Sequence, residues 1–158
     1  MVVQLSERIK AMEYYEIFRK KFETFNELRK SMSEEDAYEK MLEGYPERQR
    51  KSLGPFIDNS TLADGFTKAI PIYAEIGMDL AVADISNNNI DAAIEIQRKC
   101  PYLEMAKEYG VENPCHIVCD MDIEATNRAF PDMTVRYIAR QTQGDSVCAH
   151  IYQRPKRV

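Results

Sequence analysis

The hydrophobic period of this chain changes once, and that change limits what it can fold into. From Leu5 through Ile9, Met12, Tyr15, Phe18, Phe22, Phe25 and Leu28 to Met32, apolar residues recur at steps of three or four. That is the period of a helix buried along one stripe. Glu7, Lys10, Glu13, Lys20, Lys21, Glu27 and Lys30 occupy the opposite face. The expectation is one long amphipathic helix, broken at most once. Its stripe covers the domain's own core or, as the alternative, forms the seam of a homodimer. Past Gly77 the period falls to two. Ala92, Ile94 and Ile96 alternate with Glu95, Gln97 and Lys99, the pattern of a half-buried strand with the apolar set inward.

Turn and cap signals divide the rest. Ser33 with Asp36 resembles a capping box, opening a short helix that ends by Gly44 with Pro46 as a stop. Arg48 to Leu53 adds a turn, broken at Gly54-Pro55. Thr61 to Ile76 reads as a helix that Pro71 kinks or ends early. Asp79 to Ile85 and Asp91 to Lys99 form a hairpin around Asn87-Asn88-Asn89. Pro101 to Tyr109 is a short helix stopped by Gly110, and Asn113-Pro114 opens another that runs from Cys115 to Ala129. Met133 to Gln141 and Ser146 to Gln153 make a second hairpin around Gly144-Asp145. The fold class is α+β. Residues 1–158 form a single domain, with a helical half (1–76) packed on an antiparallel sheet of about four strands, carried by the motif-bearing half (77–153).

Charge and size exclude several function classes. A chain of 158 residues can bury roughly 70% of its unfolded surface and needs no disulfides. With 26 acidic against 21 basic residues, it lacks the basic balance of a duplex nucleic-acid binder. The basic tail from Arg154 to Val158 is short and reads as a solvated end. No stretch is long and apolar enough to span a bilayer, and Met1 to Glu7 lacks the basic start and apolar run of a signal peptide. The expected setting is cytoplasmic, with reduced thiols. The expected partner is a small molecule, not a nucleic acid or a membrane.

Four cysteines then carry the functional question. Cys100 shares the parity of Ile94 and Ile96. Cys115 and Cys119 lie one turn apart on one helix face, and Asp122 continues that stripe. Cys148, His150 and Tyr152 alternate along the last strand. Thiols from three elements can therefore face one cavity, as buried apolar groups, as zinc ligands or as a nucleophile. The Cys-x3-Cys spacing is not the usual close zinc knuckle. Cys115 sits in a first helical turn, where the dipole favours a thiolate, while Asp122 opposes ionisation of Cys119. Local electrostatics thus favour Cys115 as the reactive thiol. His116 reads as a surface or capping side chain, and His150 as a sheet histidine or a site group. Arg136 and Arg140 share a strand face and either clamp a carboxylate or pair across strands. The sequence contains no phosphate loop, dinucleotide fingerprint or HExxH run.

Cys100-Pro101-Tyr102, Gly110, Cys119-Asp120-Met121-Asp122, Arg140 to Asp145, and Cys148 to Tyr152 follow one another in order. This stretch, about residues 100–152, resembles the L-2-amino-thiazoline-4-carboxylate hydrolase family. In that pattern a Cys-Pro-Tyr begins a helix, a Cys-x-x-Asp sits on the next, and an Arg-x-x-x-Gly-Asp hairpin leads into a Cys-Asp-Phe-type strand. Ala149 replaces the usual Asp, and Ile151 lies near the usual aromatic. The resemblance implies hydrolytic opening of a C–N bond in a cyclic isothiourea carrying a carboxylate. It implies Cys119, Asp122 and Cys148 as catalytic residues and Arg140, His150 and Cys100 as substrate-binding residues. The implied fold is similar to the vinyl-reductase-type small-ligand domain. Some such domains bind zinc and act as sensors, which gives the alternative of a non-enzymatic, zinc-stabilised ligand-binding module.

Overall fold

A computed structural model describes the backbone of residues 2–157 and the side chains of residues 15–157. The first helix, α1 (Val2–Leu28), is unbroken. Phe18, Phe22 and Phe25 from its stripe are at most 5% exposed and pack with Tyr102, Ile117, Val118 and Met121. The described part of the stripe therefore covers the domain's own core, each ring contributing roughly 1.5–3 kcal/mol. Leu5, Ile9 and Met12, with Glu7, Lys10 and Glu13 opposite, lie outside the described side chains. No helix among the described residues is long and apolar enough to cross a membrane.

The capping box opens α2 (Glu34–Leu42): Ser33 Oγ accepts the Asp36 N–H at 3.0 Å and donates to Asp36 Oδ2 at 2.7 Å. The next two helices override their prolines. Pro46 does not stop the chain but sits in the first turn of α3 (Tyr45–Ile57), where no backbone N–H is needed. The same helix continues through Gly54-Pro55. Thr61 caps α4 (Leu62–Glu75), which passes Pro71 without ending. Pro55 and Pro71 are both exposed, so the carbonyls they leave unpaired can turn to water. Where α3 and α4 cross, a side chain at Gly65 would come within 1.9 Å of the Phe56 carbonyl oxygen. Only glycine permits that approach.

The sheet contains β1 (Asp79–Asp84), β2 (Ile90–Lys99), β3 (Thr134–Ala139) and β4 (Cys148–Pro155), antiparallel in the order β1-β2-β4-β3. Two hairpins joined through β2 and β4 give the expected α+β architecture. Between them lie α5 (Tyr102–Glu108) and the Asn113-Pro114 start, where Asn113 Oδ1 accepts the Cys115 N–H at 3.1 Å. The helix expected from Cys115 to Ala129 comes in two parts. His116–Asp120 is a π-helical segment, and α6 (Met121–Ala129) follows it directly. Such π insertions are often found at functional sites.

α4 packs on β1 and β2, and α6 on β3. The sheet face they cover reverses the expected parity of β2. Asp91, Ala93, Glu95 and Gln97 are buried there, opposite Arg154, Tyr152, His150 and Cys148 of β4. Ile94 and Ile96 are half-buried on the other face, beside Ile151 and Ala149. Cys100, placed with Ile94 and Ile96 by parity, instead follows the end of β2 and comes near Cys115 and Cys148 on the covered side. A bulge between Tyr137 and Ala139 shifts the alternation of β3. It separates Arg136, exposed opposite Ile151, from Arg140, which turns to the helix side and pairs with Asp120 at 2.6 Å.

Arg154 is not a solvated tail residue. It is 5% exposed, and its Nε donates to Asp91 Oδ2 at 2.8 Å. It also donates to the Ile57 and Asn59 carbonyls at the end of α3. Asp91 in turn accepts the Leu62 N–H at the start of α4, where the helix dipole favours a carboxylate. One ion pair thus fixes two helices to the central strands.

Candidate functional site

Between the covered sheet face and helices α1, α3, α4 and α6 lies a cavity of about 420 Å³. Its floor is polar: Glu95 and Gln97 from β2, His150 and Tyr152 from β4. Its walls are mostly apolar, from Phe18, Leu53, Phe56, Ile76 and Met78, with Cys119 and Asp122 entering from the π segment and α6. Ser52 and Ile72 line it and are exposed, so it meets solvent between α3 and α4. An apolar chamber of this size with a few convergent polar groups suits a small molecule.

The thiols gather at one end. The Cys119 thiol donates a hydrogen bond to Cys115. Thr142 Oγ1 lies 3.3 Å from Cys115 Sγ, and the Arg140 guanidinium is close enough to favour negative charge there. The Cys119 hydrogen bond first, then Thr142 and Arg140, pull Cys115 down to about 6 against the opposing effect of burial. The same hydrogen bond, with burial, pushes Cys119 well above its ordinary value. The two sulfurs therefore titrate as a pair, and their hydrogen bond favours negative charge on Cys115 over Cys119. Burial raises Cys100 and Cys148, and the charge on Cys115 raises both further. Arg140 lies over the Tyr137 ring at 3.7 Å and is held by Asp120.

Across the floor the strand register aligns Glu95, His150 and Tyr137. Burial pushes the Glu95 carboxyl up to about 7, with the Tyr152 hydroxyl favouring its charged form. Burial, then the Arg140 charge, brings His150 down to about 4, so it is neutral at pH 7. Among the described residues, Glu95 Oε1 and His150 Nδ1 are buried without a hydrogen-bond partner. Asp122 stands at the wall in a firmer setting. It accepts from the Tyr45 hydroxyl, and Lys21 Nζ is 3.3 Å away.

Of the six site residues read from sequence, Cys119, Asp122 and His150 line the cavity. Cys148 lies behind them in the thiol group, with its Sγ accepting the Gln141 N–H at 3.4 Å. Arg140 and Cys100 flank Cys115 outside the lining. His116 stacks on Tyr38 at 4.6 Å, away from the cavity. Sequence reasoning missed Glu95 and Gln97, because alternation assigned them to the solvent side. Their one signal is the β4 pattern Cys148, His150, Tyr152, whose strand partners are Gln97, Glu95 and Ala93. Among the described residues, no three of His, Cys, Asp and Glu are grouped to hold a metal ion.

The departures from the family pattern, Ala149 and Ile151, both fall on the sheet face away from the cavity. No curated protein matches the sequence. A family model described as L-2-amino-thiazoline-4-carboxylic acid hydrolase matches residues 8–152, reaching well upstream of the motifs and into α1. With nearly the whole chain matched, from the helical half through the strand that carries Cys148 and His150, the protein belongs to the L-2-amino-thiazoline-4-carboxylic acid hydrolase family.

Proposed function

We propose that this chain hydrolyses a cyclic isothiourea in the cavity between helices and sheet, opening its ring C–N bond. The observation that carries this reading is the position of Cys119, on the cavity wall and hydrogen-bonded to Cys115, whose thiol that bond pulls below its ordinary value. The carbon between two nitrogens and sulfur is electrophilic once the amidine is protonated. Transfer of the Cys119 proton to Cys115 leaves a thiolate at the wall, and its sulfur forms a bond to that carbon. The ring C–N bond then breaks, with its electron pair and a proton going to nitrogen. Water adds to the same carbon and the bond to Cys119 breaks, releasing a carbamoylated cysteine.

The remaining residues take roles that follow from their places. Asp122, anchored by Tyr45 and Lys21, hydrogen-bonds the cationic amino group. Arg140 holds negative charge on Cys115 and acts through it. Cys100 and Cys148 pack beside Cys115 and keep water from it. The test is release of carbamoylated cysteine from L-2-amino-thiazoline-4-carboxylate by the purified chain. Cys119→Ser should lower kcat about 100-fold or more, and Asp122→Asn should lower kcat/KM about tenfold or more, both at unchanged melting temperature. Wild-type turnover in both variants would make the assignment wrong.

A further inference from the structure

Glu95 has no part in the thiol chemistry, yet it is the most unusual group in the cavity. It sits on the central strand β2 at 7% exposure and lines the chamber. A carboxyl buried for structural reasons has both oxygens paired, because an unsatisfied buried polar group costs about 1–3 kcal/mol. Here Oε1 has no hydrogen-bond partner among the described residues, and neither has His150 Nδ1 directly opposite on β4. The fold leaves both atoms unpaired on the sheet face where Glu95 and His150 line the chamber.

Tyr152 hydrogen-bonds Glu95. The other polar groups that share its cavity are His150 from β4, Tyr45, Gln49 and Ser52 from α3, Tyr73 from α4, Cys119, Asp122 and Thr126 from the π segment and α6, and Gln97 from its own strand. Val82, opposite on β1, carries no charge. None of these is a cation placed to hold the carboxyl ionised, whereas Asp91, four residues earlier on the same strand, has Arg154.

We propose that Glu95 is a catalytic residue, the proton carrier of the ring opening. It gives its proton to the ring nitrogen as the C–N bond breaks. It then takes a proton from the water that attacks the carbon bonded to Cys119, and Cys119 leaves as the thiolate. Water loses two protons as its oxygen becomes the carbamoyl carbonyl: Glu95 takes the first, restoring the one it gave to nitrogen, and the second passes through His150 to the freed amine, which ends as ammonium. Neutral His150 offers Nδ1 to the second hydrogen of that water. A carboxyl held near 7 by burial can act as acid and base in successive steps at neutral pH. This role rests on the thiol reading above.

The experiment is the pH profile of kcat/KM for L-2-amino-thiazoline-4-carboxylate, for the wild type, Glu95→Gln and Tyr152→Phe. The wild type should give a bell: a rise through about 6 as the Cys115–Cys119 pair ionises, and a fall through about 7 as Glu95 loses its proton. Glu95→Gln should lose about 100-fold or more in kcat and lack the falling limb. Tyr152→Phe removes the hydroxyl that favours ionised Glu95, so its falling limb should move to higher pH. A Glu95→Gln chain within threefold of wild type that keeps the falling limb would overturn the role. If Glu95→Gln does not fold, a limb unmoved in Tyr152→Phe would do so instead. A wild type inactive on this compound at every pH would remove the thiol reading, and the role with it. An active wild type with an indifferent Glu95→Gln would remove the role alone.

Discussion

At the scale of single residues, burial decides what each group can do. Glu95, on the cavity floor, and Cys115, behind its wall, are displaced from their ordinary values in opposite senses. Both displacements appear in stability as well as activity. Glu95 is raised in the fold, so its favourable contribution is complete below about 4.5 and is lost as pH rises through about 7. Cys115 is lowered, so its contribution is complete above about 9 and is lost as pH falls through about 6. Comparison of variants separates the two. Glu95→Gln should unfold at the same or lower denaturant concentration than wild type near pH 5, and at higher concentration at pH 8. The relative change should be on the order of 3 kcal/mol. Parallel stability curves for the two proteins from pH 5 to 8 would contradict the burial of that carboxyl. The thiols, Asp122 and His150 were legible in sequence because chemistry restricts where Cys, His and Asp occur. Glu95 was not, because a glutamate alternating with isoleucines looks like the wet side of a strand. The strand buries its polar side in the cavity floor and leaves Ile94 and Ile96 half-covered, an exception of the kind expected where a site is built.

At the scale of elements, local signals predicted existence better than boundaries. Ser33, Thr61 and Asn113 mark helix starts that form as read, because a cap is a contact between near neighbours. Pro46 and Pro55 misled, while the helix read across Pro71 from Thr61 to Ile76 forms nearly to those bounds. A proline ends a helix only where the freed carbonyl cannot reach another partner, and Pro55 and Pro71 lie on solvent-facing turns. The bulge in β3 was invisible because it depends on pairing with β4, and it alone separates Arg136 from Arg140. The π segment carries Cys119 and Asp120, and it delivers one to the cavity and the other to Arg140. The ion pair of Asp91 with Arg154 is the element-level contact most open to test. Asp91→Ala leaves a buried guanidinium with no counter-charge and frees the start of α4. It should cost about 3–5 kcal/mol in chemical denaturation, and the double substitution with Arg154→Met should recover part of that. A loss below 1 kcal/mol would mean that the pair does not hold α3 and α4 to the sheet.

At the scale of the whole molecule, the change of period near Gly77 was enough to predict helices packed on an antiparallel sheet. It could not say which sheet face they cover. That choice is made between strands distant in sequence, when β2 adopts the parity of β4. The outcome is a chamber whose floor is sheet, whose roof is helix and whose wall carries Cys119, hydrogen-bonded to Cys115 behind it. The central claim is that Cys119 bonds to substrate inside that chamber. Its most direct test is the mass of wild-type protein quenched in acid during turnover of L-2-amino-thiazoline-4-carboxylate, with the modified peptide sequenced. Ring opening after attack retains every substrate atom, so the account predicts a gain of one whole substrate mass on Cys119. A gain on Cys100, Cys115 or Cys148, or no gain during steady turnover, would contradict it.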